Sequence, residues 1–278
     1  MVPIVPFELP AFVGNGRADK IETAVKTAQS PESPSQLVYL CGPVGAAQQI
    51  QEALSPHCVP VAVPTELRTE YSHAFLFQEG LYAEAESFIN LLMEVRILRQ
   101  IPQIDHALVL DWYKIPPPDN SDRWPNTPAG ELVYRAKYYK DSSAVARAQA
   151  RRELVDKMVS VIQRHPLLSG ASAIVTVPGH NADGQSFGEQ LAKVISQRTL
   201  QPFALTTCPS GPRSQRKEVQ NPDDPPPVFA VPYLLEGSVV IVDDVIRSGK
   251  SIQGVAIAAR KAGAARVFAF GAVKTMRG

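Results

Sequence analysis

Val239-Val240-Ile241-Val242 followed at once by Asp243-Asp244 constrains this chain more than any other stretch. Four β-branched residues in a row leave no polar face, so they fit a strand covered on both sides, as inside a parallel sheet. The two carboxylates stand at its carboxyl end, where open α/β sheets take their ligands. Val245-Ile246-Arg247 then leads into Ser248-Gly249-Lys250-Ser251, after which Ile252, Val255, Ala256 and Ile257 or Ala259 share one helical face. A small-residue turn thus opens a helix, aiming free backbone N–H groups and the positive end of the helix dipole at an anion. The hydroxyls of Ser248 and Ser251 add donors. An anion cradle beside two carboxylates suits a sugar phosphate. Two other readings compete: a plain strand stop with an Asp N-cap, and a nucleoside-triphosphate P-loop ending in Gly249-Lys250-Ser251. The P-loop would need its first glycine at Asp244, and only 27 residues follow Ser251 for the remaining strands.

The stretch from Val239 to Ser251 resembles the phosphoribosyl diphosphate (PRPP) signature of the type I phosphoribosyltransferases. That signature has four apolar residues, two acidic, two apolar, and a Thr/Ser-Gly-x-Thr/Ser loop. The resemblance implies that Asp243 and Asp244 contact ribose hydroxyls and bear, directly or indirectly, on a metal. It gives Ser248, Gly249, Lys250 and Ser251 to the 5-phosphate, with Val245 and Ile246 in the same binding stretch. Arg247 is the departure: many members have Thr there, and purine-salvage members an Asp that contacts the base. It therefore speaks against simple purine salvage, and its guanidinium beside the reacting carbon suits an anionic acceptor or else points outward.

At 278 residues the chain can form one large or two moderate domains. Its 45% hydrophobic and 20% charged residues are ordinary globular usage, and a net charge of +1 gives no bulk attraction for nucleic acid or an anionic membrane. Cys41, Cys58 and Cys208 are odd in number and widely spaced, so neither a disulfide framework nor a CxxC zinc site is implied and a cytoplasmic location is expected. Met1 to Pro10 has no signal-peptide pattern, and no apolar run approaches a membrane span. Residues 1 to about 35 read as irregular around a helix at Arg17–Ala28. Gln36–Cys41, a Gly42-x-x-Gly45 turn, a helix over Ala46–Leu54 and a strand over Val59–Val63 read as a small βαβ unit, the glycines serving chain reversal more readily than phosphate approach. His57-Cys58 lacks a partner pair of ligands. Phe88, Leu91, Leu92, Val95 and Leu98 predict one long helix over Tyr82–Ile101, its first-turn glutamates Glu84 and Glu86 and its late Arg96 and Arg99 matching the helix dipole. Ala107–Leu110 predicts a strand. The Pro-rich run from Ile115 through Pro128 predicts a linker or flap, beside which Trp112, Tyr113 and Trp124 stack on a planar base or pack.

From Glu131 to Tyr138, and in the helix bearing Leu154, Val155, Met158, Val161 and Ile162, the chain is similar to the ComF-like competence proteins, a branch of the same family. Ala173–Val177 predicts a strand running into Pro178-Gly179-His180-Asn181, where that branch has a Val-Pro-x-His turn; by resemblance these four residues form the diphosphate loop. The chemistry agrees, since Gly179 lets backbone approach an anion and His180 can donate to it. A helix with Phe187, Leu191, Val194 and Ile195 inward and a short strand at Ala204–Thr206 follow. Then comes a basic loop in which Arg213, Arg216 and Lys217 would swing onto the diphosphate, as the mobile loop of the family does. Arg266–Ala272 predicts the last strand. The zinc-ribbon cysteines of the ComF-like group are absent.

The expected architecture is α/β: an accessory α/β region over 1–128 and, over 129–278, a type I phosphoribosyltransferase-like parallel sheet flanked by helices. The resemblance implies transfer of phosphoribose from PRPP, with Mg²⁺, to a nitrogenous base or amine, in nucleotide metabolism. The partners expected are PRPP and a small-molecule acceptor, a homodimer in addition, and no membrane or nucleic acid. The competing expectation is a non-catalytic PRPP- or nucleotide-binding module, regulatory or related to DNA uptake.

Overall fold

The computed structural model describes residues 26–29, 34–98, 101–115, 124–137, 143–213 and 225–276. The expected helix at Arg17–Ala28 falls largely outside them. Two compact units emerge: residues 1–99 with 164–167, and residues 100–163 with 168–278.

The first unit contains β1 (Lys26–Gln29), β2 (Gln36–Leu40), α1 (Val44–Leu54), β3 (Cys58–Val61), β4 (His73–Phe77), α2 (Ala83–Glu94) and the short β5 (Arg96–Ile97). Its sheet has the order β1-β2-β4-β3 and is antiparallel throughout. Val38 of β2 lies opposite Phe75 of β4, both fully buried, while Tyr39 opposite Ala74 covers the other face with Val61, Val63 and Tyr71. The alternation of a two-sided strand is thereby satisfied.

The expected βαβ unit is corrected here. β2 and β3 do run parallel and are joined by α1, but β4 inserts antiparallel between them, so they share no hydrogen bonds. The β3–β4 connection, residues 62–72, is shorter than the 41–57 crossover through α1, and an antiparallel neighbour needs no crossover. The long helix expected over Tyr82–Ile101 is corrected too: α2 stops at Glu94, Val95 adopts extended φ −106° and ψ 170°, and Arg96–Ile97 is strand. β-Branched Val95 and Ile97 favour that switch, and they remain buried, so the apolar spacing was real while its helical assignment was not. Glu84 and Glu86 do occupy the first turn; no basic residue occupies the last.

The second unit holds β6 (His106–Trp112), α3 (Pro128–Lys137), α4 (Ala144–Arg164), the short α5 (Pro166–Ser169), β7 (Ala173–Thr176), α6 (Phe187–Thr199), β8 (Phe203–Ala204), β9 (Ser238–Ile246), α7 (Lys250–Lys261) and β10 (Arg266–Lys274), except that residues 164–167 belong to the first unit. Its strands follow the order β6-β10-β9-β7-β8, every neighbouring pair parallel. The fold is thus α/β with a central parallel sheet flanked by helices. Val239 to Val242 and Val267 to Val273, apart from Gly271, are buried apolar residues, as strands covered on both faces require. β6 precedes the Pro-rich run expected to divide the chain at 128, yet it pairs with β10; residues 116–123 of that run lie outside the described ones.

Connectivity fixes where the helices go. The β7-α6-β8 connection steps one way along the sheet and β9-α7-β10 the opposite way. Right-handed crossovers then put α6 and α7 on opposite faces. The sense of winding reverses between β7 and β9, which are direct neighbours. That is the topological switch point, where the carboxyl ends of strands leave a crevice.

α3 starts on Thr127, whose Oγ1 accepts from the Gly130 N–H at 3.0 Å and whose carbonyl accepts from Glu131, with Pro128 in the first turn. Gly130 is obligatory there, since a Cβ would stand 1.9 Å from the carbonyl oxygen of Tyr113. Two expectations fail: Val194 of α6 is 40% exposed, so Leu191, Ala192 and Ile195 carry the buried face, and the strand expected over Ala204–Thr206 is only Phe203–Ala204.

Candidate functional site

β9 carries Asp243 and Asp244 to the crevice end of the sheet, one strand from the carboxyl end of β7, where Thr176 and Val177 run into the Pro178–Asn181 turn. Asp243 Oδ1 accepts from the Asp244 N–H at 2.8 Å. Asp244 is buried and its Oδ2 takes the Lys137 ammonium at 2.5 Å. Burial, then the neighbouring Asp244 charge, holds the Asp243 carboxyl well above the usual carboxylate range.

The first turn of α6 joins the acid pair to the turn. Ser186 and Glu189 form a capping box, and Glu189 Oε2 accepts from the Ser186 N–H at 3.1 Å and from the Gly179 N–H at 3.3 Å. Gly188, between them, lies against the carboxylates: a Cβ there would be 3.1 Å from Asp243 Oδ1 and 3.4 Å from Asp244 Oδ1. Gly179 is equally confined, its Cβ position 2.5 Å from that of Ser186. One helix start therefore supports both halves of the site.

The loop after β9 behaves as its residues require. Gly249 is buried at φ +82°, a left-handed conformation that glycine takes without cost, and α7 begins at Lys250. Gln253 donates to the Gly249 carbonyl at 2.8 Å, which places that carbonyl at the start of α7. Ser248 is exposed, and Lys250 and Ser251 are half-buried. Arg247 is exposed at the crevice end of β9. Val245 is half-buried, whereas Ile246 is buried under the sheet's next strand, its side chain over Gly271. In the turn, Pro178 is buried, Gly179 half-buried, and His180 and Asn181 exposed.

Arg213 differs from expectation. Its backbone N–H donates to the His180 carbonyl at 2.7 Å, and Nη2 donates to the carbonyls of Pro178 at 2.6 Å and Gly179 at 3.4 Å. The guanidinium also lies 4.6 Å over the Phe229 ring. It braces the turn through carbonyl oxygens. Arg216 and Lys217 lie outside the described residues.

Two adjacent carboxylates are hard oxygen donors of the kind Mg²⁺ takes together with phosphate oxygens, so Asp243 and Asp244 fit an ion that arrives with its ligand. No cluster of three or more His, Cys, Asp or Glu able to hold a metal occurs among the described residues, and this covers His57-Cys58, where burial pushes the Cys58 thiol up to about 11. Trp112 is buried in β6, while Tyr113 and Trp124 are half-buried. A separate cavity of about 650 Å³ in the first unit is lined by Pro56, His57, Gln78, Glu79, Gly80 and Tyr82.

Sequence reasoning missed Lys137, Gly188, Glu189 and Lys274. The Ser186-x-x-Glu189 spacing is a readable capping box and leads directly to Glu189. Lys274 ends β10 in register with Ile246, its Nζ on the Thr275 carbonyl at 2.5 Å, and burial holds its ammonium pKa below the usual lysine range.

No protein-family model matches the sequence, and no curated protein matches it. Among solved structures, the chain is similar to an adenine phosphoribosyltransferase from Leishmania tarentolae at 12% identity and TM-score 0.38, covering 65% of this chain and 94% of that one. It is similar to an adenine phosphoribosyltransferase from Trypanosoma brucei, in complex with AMP, pyrophosphate and ribose-5-phosphate, at 15% identity and TM-score 0.36, covering 66% and 87%. An orotate phosphoribosyltransferase from Aeropyrum pernix gives 19% identity and TM-score 0.34, covering 55% and 84%. Likenesses this distant carry no argument about activity.

Proposed function

We propose that the chain is a type I phosphoribosyltransferase that transfers phosphoribose from PRPP to a nitrogenous base or amine. The observation that carries this reading is the meeting, across neighbouring strands at the switch point, of an acid pair and a glycine turn braced by Glu189 and Arg213. Asp243 and Asp244 accept from the ribose hydroxyls. Backbone N–H groups at Ser248 to Ser251, with both serine hydroxyls, hold the 5-phosphate at the start of α7. Pro178 to Asn181 hold the diphosphate, with Gly179 giving close backbone approach and His180 donating. Mg²⁺, when bound, supplies neutralising charge to the diphosphate.

In the reaction the bond from the anomeric carbon to the diphosphate oxygen breaks and its electron pair leaves on diphosphate. The acceptor nitrogen forms the new bond and releases its proton to solvent. The protein's part is to fix the sugar and stabilise the leaving charge. Arg247, exposed beside the acid pair, suits an anionic acceptor. We extend the same reading to a cytoplasmic homodimer in which residues 1–99 form the accessory region, β6 belonging to the other unit. No helix among the described residues is long and apolar enough to cross a membrane.

A second reading, a PRPP-binding module without turnover, is favoured by Arg213, which is spent on carbonyl oxygens and so is withdrawn from any closing loop. Diphosphate release from PRPP and Mg²⁺ across a panel of bases separates the two. Release supports the transferase, binding without release under every condition supports the module, and absence of PRPP binding defeats both.

A further inference from the structure

We propose that Lys137 is a diphosphate-binding residue that also masks Asp244: its ammonium pairs with that carboxylate while the site is empty and transfers to the incoming diphosphate, releasing Asp244 to the ribose. The inference rests on the reading given under Proposed function and adds an order to it, with anion capture and exposure of the ribose acceptor coupled.

Four observations carry it. Asp244 is 6% exposed, and a carboxylate so buried requires a partner; Lys137 Nζ supplies one at 2.5 Å. The oxygen engaged, Oδ2, belongs to the acid pair that the proposed function gives to the sugar, so the lysine and a ribose hydroxyl would compete for it. The Lys137 side chain is 29% exposed, so its ammonium is reachable from the crevice, and its flexible four-carbon stem allows the transfer. Finally, Lys137 is the last residue of α3, and the end of that helix is tied to the start of α6. Arg151 donates from Nε to the Ala136 carbonyl at 3.1 Å while its guanidinium lies 5.3 Å over the Phe187 ring, next to Gly188 against both carboxylates. The cation is thus anchored at the rim shared by the acid pair and, through Glu189, the Gly179 turn.

The test uses the full chain and calorimetric titration with inorganic diphosphate and, separately, ribose 5-phosphate. Lys137→Met is expected to weaken diphosphate binding about tenfold or more while ribose 5-phosphate binding holds or tightens, because Asp244 no longer has a partner to give up. Asp244→Asn is expected to do the reverse, weakening the sugar phosphate and tightening diphosphate, and Lys137→Arg to retain diphosphate. Equal losses of both ligands in Lys137→Met, or unchanged diphosphate affinity, would overturn the inference while leaving the functional reading intact. Should Lys137→Met fail to fold, the Asp244→Asn arm decides alone, and unchanged or weakened diphosphate binding there overturns the exchange. A wild-type chain that binds neither ligand removes the functional reading and this inference with it.

Discussion

Replacing Arg213 by Met tests whether the Pro178–Asn181 turn is held from behind. The variant loses the Nη2 bonds to Pro178 and Gly179 and the stacking on Phe229, but keeps the backbone bond from residue 213 to His180. One good charge-assisted hydrogen bond is worth about 1.5–3 kcal/mol, the 3.4 Å bond adds little, and a partly buried cation–π contact adds about 1 kcal/mol. Roughly 2–4 kcal/mol of local stability should therefore vanish, which raises the opening population of the turn by about 30-fold to 1,000-fold. Amide hydrogen exchange at residues 179–182 reads that opening directly, without any ligand. Diphosphate binding should weaken in parallel, and Arg213→Lys should rescue neither property, because lysine lacks the planar guanidinium that lies over Phe229 while Nη2 reaches the turn. Unchanged exchange in the Met variant would refute the brace. Recovery of diphosphate binding in the Lys variant, with exchange still fast, would show instead that the residue acts as a charge on the ligand.

Asp243→Asn should raise the melting temperature at pH 7, by about 1 kcal/mol of stability, while abolishing sugar-phosphate binding. The sign follows from its raised folded pKa: the stability of the protonated form is complete below the ordinary value of 3.8 and is lost as pH rises through the folded value, so the neutral amide removes a cost at pH 7. A variant that melts lower at pH 7 refutes it. His73, buried with Nε2 on the Gly42 carbonyl at 3.2 Å, has its pKa lowered chiefly by burial. Its contribution is present above 6.5 and is lost as pH falls through the folded value, so acid melting of the wild type below pH 6.5 should flatten in His73→Gln; parallel pH profiles would count against this. Gly188→Ala should leave the fold within about 1–2 kcal/mol, yet reduce sugar-phosphate binding by pushing on Asp243 Oδ1, and calorimetry showing full affinity would refute the confinement. Gly130→Ala, with its Cβ at 1.9 Å from the Tyr113 carbonyl oxygen, should cost about 3 kcal/mol or more; a melting curve matching wild type would refute it.

What could be read from sequence is what neighbours in sequence determine. The strand at Val239, its acid pair, the Gly249 turn and the helix face through Ile252, Val255, Ala256 and Ala259 were all legible because each depends on residues within a few positions. The parallel sheet followed from alternation of strands and helices, but β6 was assigned to the accessory region because nothing in His106–Trp112 announces a partner as remote as β10. The βαβ reading failed for the same reason: local pattern gave the two parallel strands and the helix, and only tertiary pairing could insert β4 between them.

The same division runs through the site and explains why the contacts of its cations were not legible. Arg213 and Lys137 carry the same charge, and a sequence offers no means of telling a guanidinium turned toward backbone carbonyls from one turned toward solvent. Lys137 meets Asp244 across 107 residues. The acid pair therefore fixes where chemistry can occur, whereas the cations that decide what that chemistry is are placed by helix ends: α3 delivers Lys137, and α6, through Ser186 and Glu189, holds the turn that Arg213 braces. A carboxylate pair left without Lys137 would carry the repulsion that already raises Asp243, so the lysine is as necessary to the empty site as an anion-binding cation would be to the filled one. On the exchange proposed above, one side chain would meet both demands, and buried acids and a polyanion could then share the crevice.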